Sequence, residues 1–180
     1  MTKLPMEIVR IDTDVVVVGG GGAASRAALS ARQQGADVHL VTKAAYGKGG
    51  STVHGASEIM SMGAAAGFGD TRDQPQVHFD DTMRAGEGFI DRDLVRVLAE
   101  DAPDRMRDLL ELGVPFDKLP AGSYKLIKSD FGTYGRCAGV KGKTGKAFVR
   151  AIADEMQRLG VHIDAPVMLV DILRDADGAI

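Results

Sequence analysis

The sequence of 180 residues contains one cysteine, Cys137, so neither an internal disulfide nor a cysteine-based metal site is available to it. It has no long hydrophobic run. Stretches such as Val15 to Val18 fall far short of the roughly 20 apolar residues that span a bilayer, and the first residues lack the basic-then-apolar order of a secretory signal. No sign of charge dominates: 22 Lys and Arg against 25 Asp and Glu leave a net charge of −3, which argues against a broad nucleic-acid surface. Internal repeats and Pro- or Ser-rich linkers are also missing. These absences predict one intracellular, cytoplasmic globular unit without a direct membrane span. What is abundant is glycine, at 23 residues, in a chain whose 44% hydrophobic content is enough for a core. Glycine at that density suggests backbone brought close to a ligand.

Asp14 precedes four consecutive valines, the pattern of a strand covered on both faces of a parallel sheet. Glycines then end the run, Ala23 to Gln34 favours helix with Gly35 as its C-cap, and Ala36 to Val41 reads as a second strand. Residues 12–43 therefore form a βαβ unit with a right-handed crossover. Residues 44–70, rich in Gly, Ser and Ala, are too long for an ordinary connection and read as a ligand-ordered loop. In the insertion at 71–143, Gln76 to Arg84 and Asp91 to Leu112 are predicted helices, with Asp91 as an N-cap and Pro103 placed to start a second helix. A helix from Thr144 to Leu159 carries Phe148, Ile152, Met156 and Leu159 on one stripe, and strands follow at 161–164 and 167–173. Asp175 to Gly178 is a hairpin turn with only two residues after it, so the chain reads as a fragment that stops inside a strand.

Gly19-x-Gly21-x-x-Ala24 follows a strand and opens a helix, the context that turns a glycine pattern into a dinucleotide fingerprint. Gly19 allows the tight turn, Gly21 admits a pyrophosphate, and Ala24 replaces the third glycine at the helix–strand contact. With Gly22 and Ala23 these residues place the phosphates on a helix N-terminus. The second strand ends in Thr42-Lys43 rather than the acidic residue that accepts ribose hydroxyls. A threonine hydroxyl still bonds a ribose, whereas a lysine pairs with a 2′-phosphate, which leaves NADP open as an alternative ligand. Gly142-Lys143-Thr144 lacks the glycine and buried strand of a P-loop, and His39 and His162 have no neighbours at metal-ligand spacing. Arg136, Lys141, Lys143, Lys146 and Arg150 form an acid-free stretch that reads as a solvated helix-start patch.

Asp14 to Lys43 resembles the opening of the FAD-dependent flavoproteins that include succinate dehydrogenase and fumarate reductase flavoprotein subunits, L-aspartate oxidase and adenylylsulfate reductase alpha subunits. Gly50-Ser51-Thr52, His78-Phe79-x-Asp81-Thr82, Ala102-Pro103, Gly113-Val114-Pro115-Phe116, Thr144-Gly145 and Asp177-Gly178 match successive landmarks of that family. The resemblance implies an α/β, Rossmann-like FAD-binding domain with a parallel sheet, incomplete at its C-terminal end. It implies FAD as cofactor, with Gly50, Ser51, Thr52, Gly55 and Ala56 along the flavin beside the fingerprint residues. Respiratory members attach flavin through a histidine where Thr52 stands, so attachment here is non-covalent; His54 lies two residues later. Further implications are a dicarboxylate-type substrate, an iron-sulfur electron-transfer subunit, and peripheral membrane association through partners. The family's carboxylate-binding and proton-transferring groups lie mostly in a capping domain and C-terminal region, so no catalytic residue is named. The resemblance thus implies the FAD-binding portion of a flavin-dependent oxidoreductase of the succinate/fumarate type, with hydride transfer through flavin N5; an NADP-dependent dehydrogenase domain, supported by Lys43, is the second reading and a non-catalytic nucleotide-binding or subunit-interaction module the third.

Overall fold

The computed structural model of the chain describes residues 8–54 and 61–178. Strand β1 (Val15–Val18) leads through helix α1 (Gly22–Gln33) into β2 (Val38–Val41), and the two strands pair in parallel from Val15 opposite Val38 to Val18 opposite Val41. Helix α1 ends where expected: Gly35 takes a φ of +93°, a conformation glycine adopts without the Cβ clash other residues meet. The segment after β2 is partly regular, holding the short helix α2 (Ser51–His54) and strand β3 (Met62–Gly63). Helix α3 (Pro75–Ala85) and helix α4 (Arg92–Glu111) pack on each other through Phe79, Val95 and Ala99. Asp91 caps α4 by accepting from the amides of Asp93 and Leu94. No new helix starts at Pro103: α4 continues through it, with Pro103 buried beside Ala102 and Met106. Burial around the proline compensates the one ladder hydrogen bond it removes.

Strands β4 (Leu126–Ile127) and β5 (Cys137–Ala138) join β3 in an antiparallel sheet of order β3-β5-β4. Two-residue strands carry no readable period, which is why the sequence shows only helix and loop there. Helix α5 (Thr144–Arg158) then returns the chain to β6 (His162–Asp164), which pairs in parallel with β2. The order of the parallel sheet is therefore β1-β2-β6.

Alternation within the strands decides where the core lies. Val38 and Leu40 close a cluster with Ala28 and Leu29 of α1 and Ile152 and Met156 of α5. Removing a Leu or Met side chain of this kind from water contributes about 1.5–3 kcal/mol. The opposite face carries Val16 and Val18, 58% and 51% exposed, and the stacked rings of His39 and His162. The valine run is thus covered on one face, not on both as its composition suggests, because both packed helices lie on the same side of the sheet.

The strand expected at 167–173 does not form. The Val167 amide donates to the carbonyl of Thr42, but the segment is exposed and makes no ladder among the described residues. A strand needs a ladder partner, and β-branched composition alone does not supply one. The turn after it is present, with the Gly178 amide donating to the carbonyl of Asp175.

Candidate dinucleotide site

The β1–α1 turn is held open by backbone geometry. Gly19 has a φ of +125°, and a Cβ there would lie 3.4 Å from that of Ala24, so the turn brings Gly19 close against Ala24 of the helix. Gly21 is the N-cap of α1 and has no side chain to take up the free amides of the first turn. The Gly19 amide donates to the Val41 carbonyl at 2.8 Å, which joins the turn to the end of β2. There Thr42 is buried, its amide bonded to the carbonyl of Asp164, while Lys43 is exposed. Beyond it Gly50, at a φ of +89°, approaches Gly21 so closely that a Cβ on it would lie 3.9 Å from the Gly21 Cα.

Between these parts lies a cavity of about 360 Å³. Gly19, Gly21, Thr42, Lys43 and Gly50 all line it, so the fold gathers five of the residues singled out in the sequence at one place. Gly22 and Thr52 meet beside it: the Gly22 amide donates to Thr52 Oγ1 at 3.0 Å. A hydroxyl oxygen thus stands at a helix N-terminus, where an anionic oxygen is also favoured. Ala23 faces solvent on α1, and Ser51 is exposed at the start of α2. Gly55 and Ala56 lie outside the described residues. His54 is exposed and its Nε2 bonds the carbonyl of Lys48, away from the cavity lining.

Other members of the site carry weak sequence signals or none. A Cβ at Gly20 would fall 2.8 Å from Thr42 Oγ1, so Gly20 must be glycine for a packing reason that the spacing of the fingerprint does not encode. Val167, Met168 and Leu169 line the cavity from the segment expected to be a strand. A wall of glycines, a helix start with open amides and an adjoining apolar segment suit a molecule with a phosphate bridge and flat rings.

Residues 14–180 match the FAD binding domain family. The chain belongs to that family. It is 37% identical to a fumarate reductase (CoM/CoB) polypeptide of Methanothermobacter marburgensis, over 97% of this chain and 31% of that protein. To the L-aspartate oxidase of Streptomyces coelicolor it is 35% identical, over 93% of this chain and 28% of that one. Among solved structures, a variant of the E. coli quinol fumarate reductase superposes with a TM-score of 0.81 at 25% identity, over 91% of this chain and 27% of that one. The chain thus spans about a third of the length of the curated relatives it matches. The cofactor of the domain is FAD, and the comparisons give no support to NADP.

One residue of this FAD-binding domain needs reassignment. Arg136 is not part of a solvated basic patch: it is 4% exposed and pairs with Asp73 and Asp81, each at 2.7 Å. Asp81 also accepts from the Thr133 amide and hydroxyl and from Arg84. Burial pushes the Asp81 carboxyl up, but these hydrogen bonds outweigh it and hold the group well below the usual carboxylate range. His78, buried beside this network with its Nδ1 unpaired, is shifted down by burial and by the Arg136 charge. The network joins α3 to the turn before it and to the start of β5, which positions the second sheet. A lone charge letter in the sequence does not reveal that its partners lie 55 and 63 residues away.

Proposed function

We propose that this chain is the FAD-binding part of a flavin-dependent oxidoreductase of the succinate dehydrogenase and fumarate reductase type, acting on a dicarboxylate-type substrate pair. The observation that carries the reading is the glycine-walled cavity between the β1–α1 turn, the end of β2 and Gly50. When bound, FAD supplies hydride transfer through its N5 atom. The chain holds and orients it. Gly19, Gly21, Gly22, Ala23 and Ala24 receive the pyrophosphate at the start of α1, where the helix dipole stabilises its charge. Thr42 and Lys43 face the adenosine ribose, and Gly50, Ser51 and Thr52 run along the flavin side. The chemistry needs the rest of a longer assembly: the substrate groups belong to a capping region, and electrons pass to an iron-sulfur partner. Among the described residues no helix is long and apolar enough to cross a membrane, so the proposed membrane association runs through that partner.

Attachment is non-covalent, because Thr52 offers a hydroxyl where the histidine-linked relatives offer an imidazole nitrogen. Purified protein should show a flavin absorption spectrum, and acid precipitation should leave the yellow colour in the supernatant. Flavin retained on the denatured chain would defeat the non-covalent reading; a colourless protein that takes up no added FAD would defeat the domain's proposed role.

A further inference from the structure

Ser25 lies on α1 one turn after Gly21, wholly buried, and its hydroxyl donates to the Gly21 carbonyl at 2.8 Å. That carbonyl also receives the Ser25 amide at 2.9 Å. The hydroxyl of Tyr46 stands 2.7 Å from Ser25 Oγ. Serine has one hydroxyl hydrogen, already directed at Gly21, so the tyrosine must be the donor. The chain of bonds therefore runs from Tyr46 to Ser25 to Gly21. Burial raises the Tyr46 pKa, so the donor proton stays in place. The Tyr46 ring packs against the core under β2.

These two side chains tie together two segments that both line the FAD cavity. Gly21 belongs to the phosphate turn, whereas Tyr46 lies between Ala45 and Gly49 in the segment after β2, and Gly21, Ala45 and Gly49 all line the cavity. We infer that Tyr46 and Ser25 form a brace that fixes the width of the dinucleotide cleft, so that Tyr46 is a positioning residue for FAD without touching it. The inference rests on the FAD reading of the cavity. Without the brace the 44–50 segment has one fewer tie to α1. Preorganisation of this kind shows in affinity, because a site that must be ordered at binding loses that free energy from the complex.

The test is FAD titration of the apo form of the longest protein containing this chain, followed by flavin fluorescence and visible circular dichroism, for Tyr46→Phe, Ser25→Ala and the double variant. Tyr46→Phe keeps the ring and its packing, so the melting temperature of the apoprotein should stay at the wild-type value while FAD affinity falls about tenfold. The double variant should bind no more weakly than the weaker single one, since both break the same chain of bonds. An unchanged FAD affinity in Tyr46→Phe, fully additive losses in the double variant, or a loss matched by an equal drop in apoprotein stability would each overturn the brace. Failure of the FAD reading looks different: the wild-type protein would bind no flavin, and Gly21→Val, which leaves Tyr46 and Ser25 in place, would change nothing.

Discussion

At the residue scale the strongest dependence of fold on single side chains is in the Arg136, Asp73 and Asp81 network. All three are buried, so removing the cation strips Asp73 of its ion partner and leaves Asp81 with only Arg84 and Thr133, in a poorly solvated place. Arg136→Ala should destabilise the chain by about 3–5 kcal/mol, read as a loss of denaturation midpoint in urea, whereas Lys141→Ala on the exposed surface nearby should change it by less than about 0.5 kcal/mol. The same network sets a pH dependence. His78 is held below its usual 6.5, so its neutral form is favoured in the folded state and the stability it contributes is present above 6.5 and lost as pH falls below it. Asp81 is held below its usual 3.8, so its contribution is present above that value and is lost only as pH falls through the lower folded value. Thermal melts should therefore be flat from neutrality to about pH 9, decline first on the acid side from about pH 6.5, and decline again below about pH 4. Asp81→Asn should shrink the second decline, to which Asp70 and Glu155 also contribute, and leave the first.

At the element scale, helix boundaries follow local chemistry and strand membership does not. Asp91 caps α4 through two amides, and its residue type and position before a long amphipathic stretch are visible in the sequence. Asp91→Ala should cost about 1 kcal/mol of stability, with Asp91→Ser restoring most of it, measured by thermal or urea unfolding. Pro103 misleads for a physical reason: a proline is a good helix start, but packing around Ala102, Pro103 and Met106 keeps the helix continuous. The segment at 167–173 misleads in the opposite way. Its residues favour a strand, yet strand structure requires backbone partners, and here its first residue turns onto Thr42 to wall the FAD cavity.

At the scale of the whole molecule, one layer of helices covers one face of the three-stranded parallel sheet. Val16 and Val18 on the other face, with Val170, Ile172 and Leu173 exposed after β6, leave apolar surface open to solvent. The chain on its own should bind a hydrophobic dye such as ANS strongly. Replacing Val16 and Val18 by threonine, which keeps β-branching and strand propensity, should lower that fluorescence by about half with little change in far-ultraviolet circular dichroism. Equal dye binding in the variant would place the exposed surface elsewhere.

The sequence by itself determined the βαβ unit, the fingerprint turn and the cap of α4, because each depends on the conformational limits of glycine, valine or aspartate within a few neighbouring residues. It also carried the family, through an ordered set of motifs along the chain. Which face of the valine strand is covered, the glycine demanded at Gly20 by Thr42, the burial of Arg136 and the meeting of Tyr46 with Ser25 were decided only by the tertiary structure. Each is a contact between residues well separated along the chain, and no local propensity encodes a distance that only packing sets.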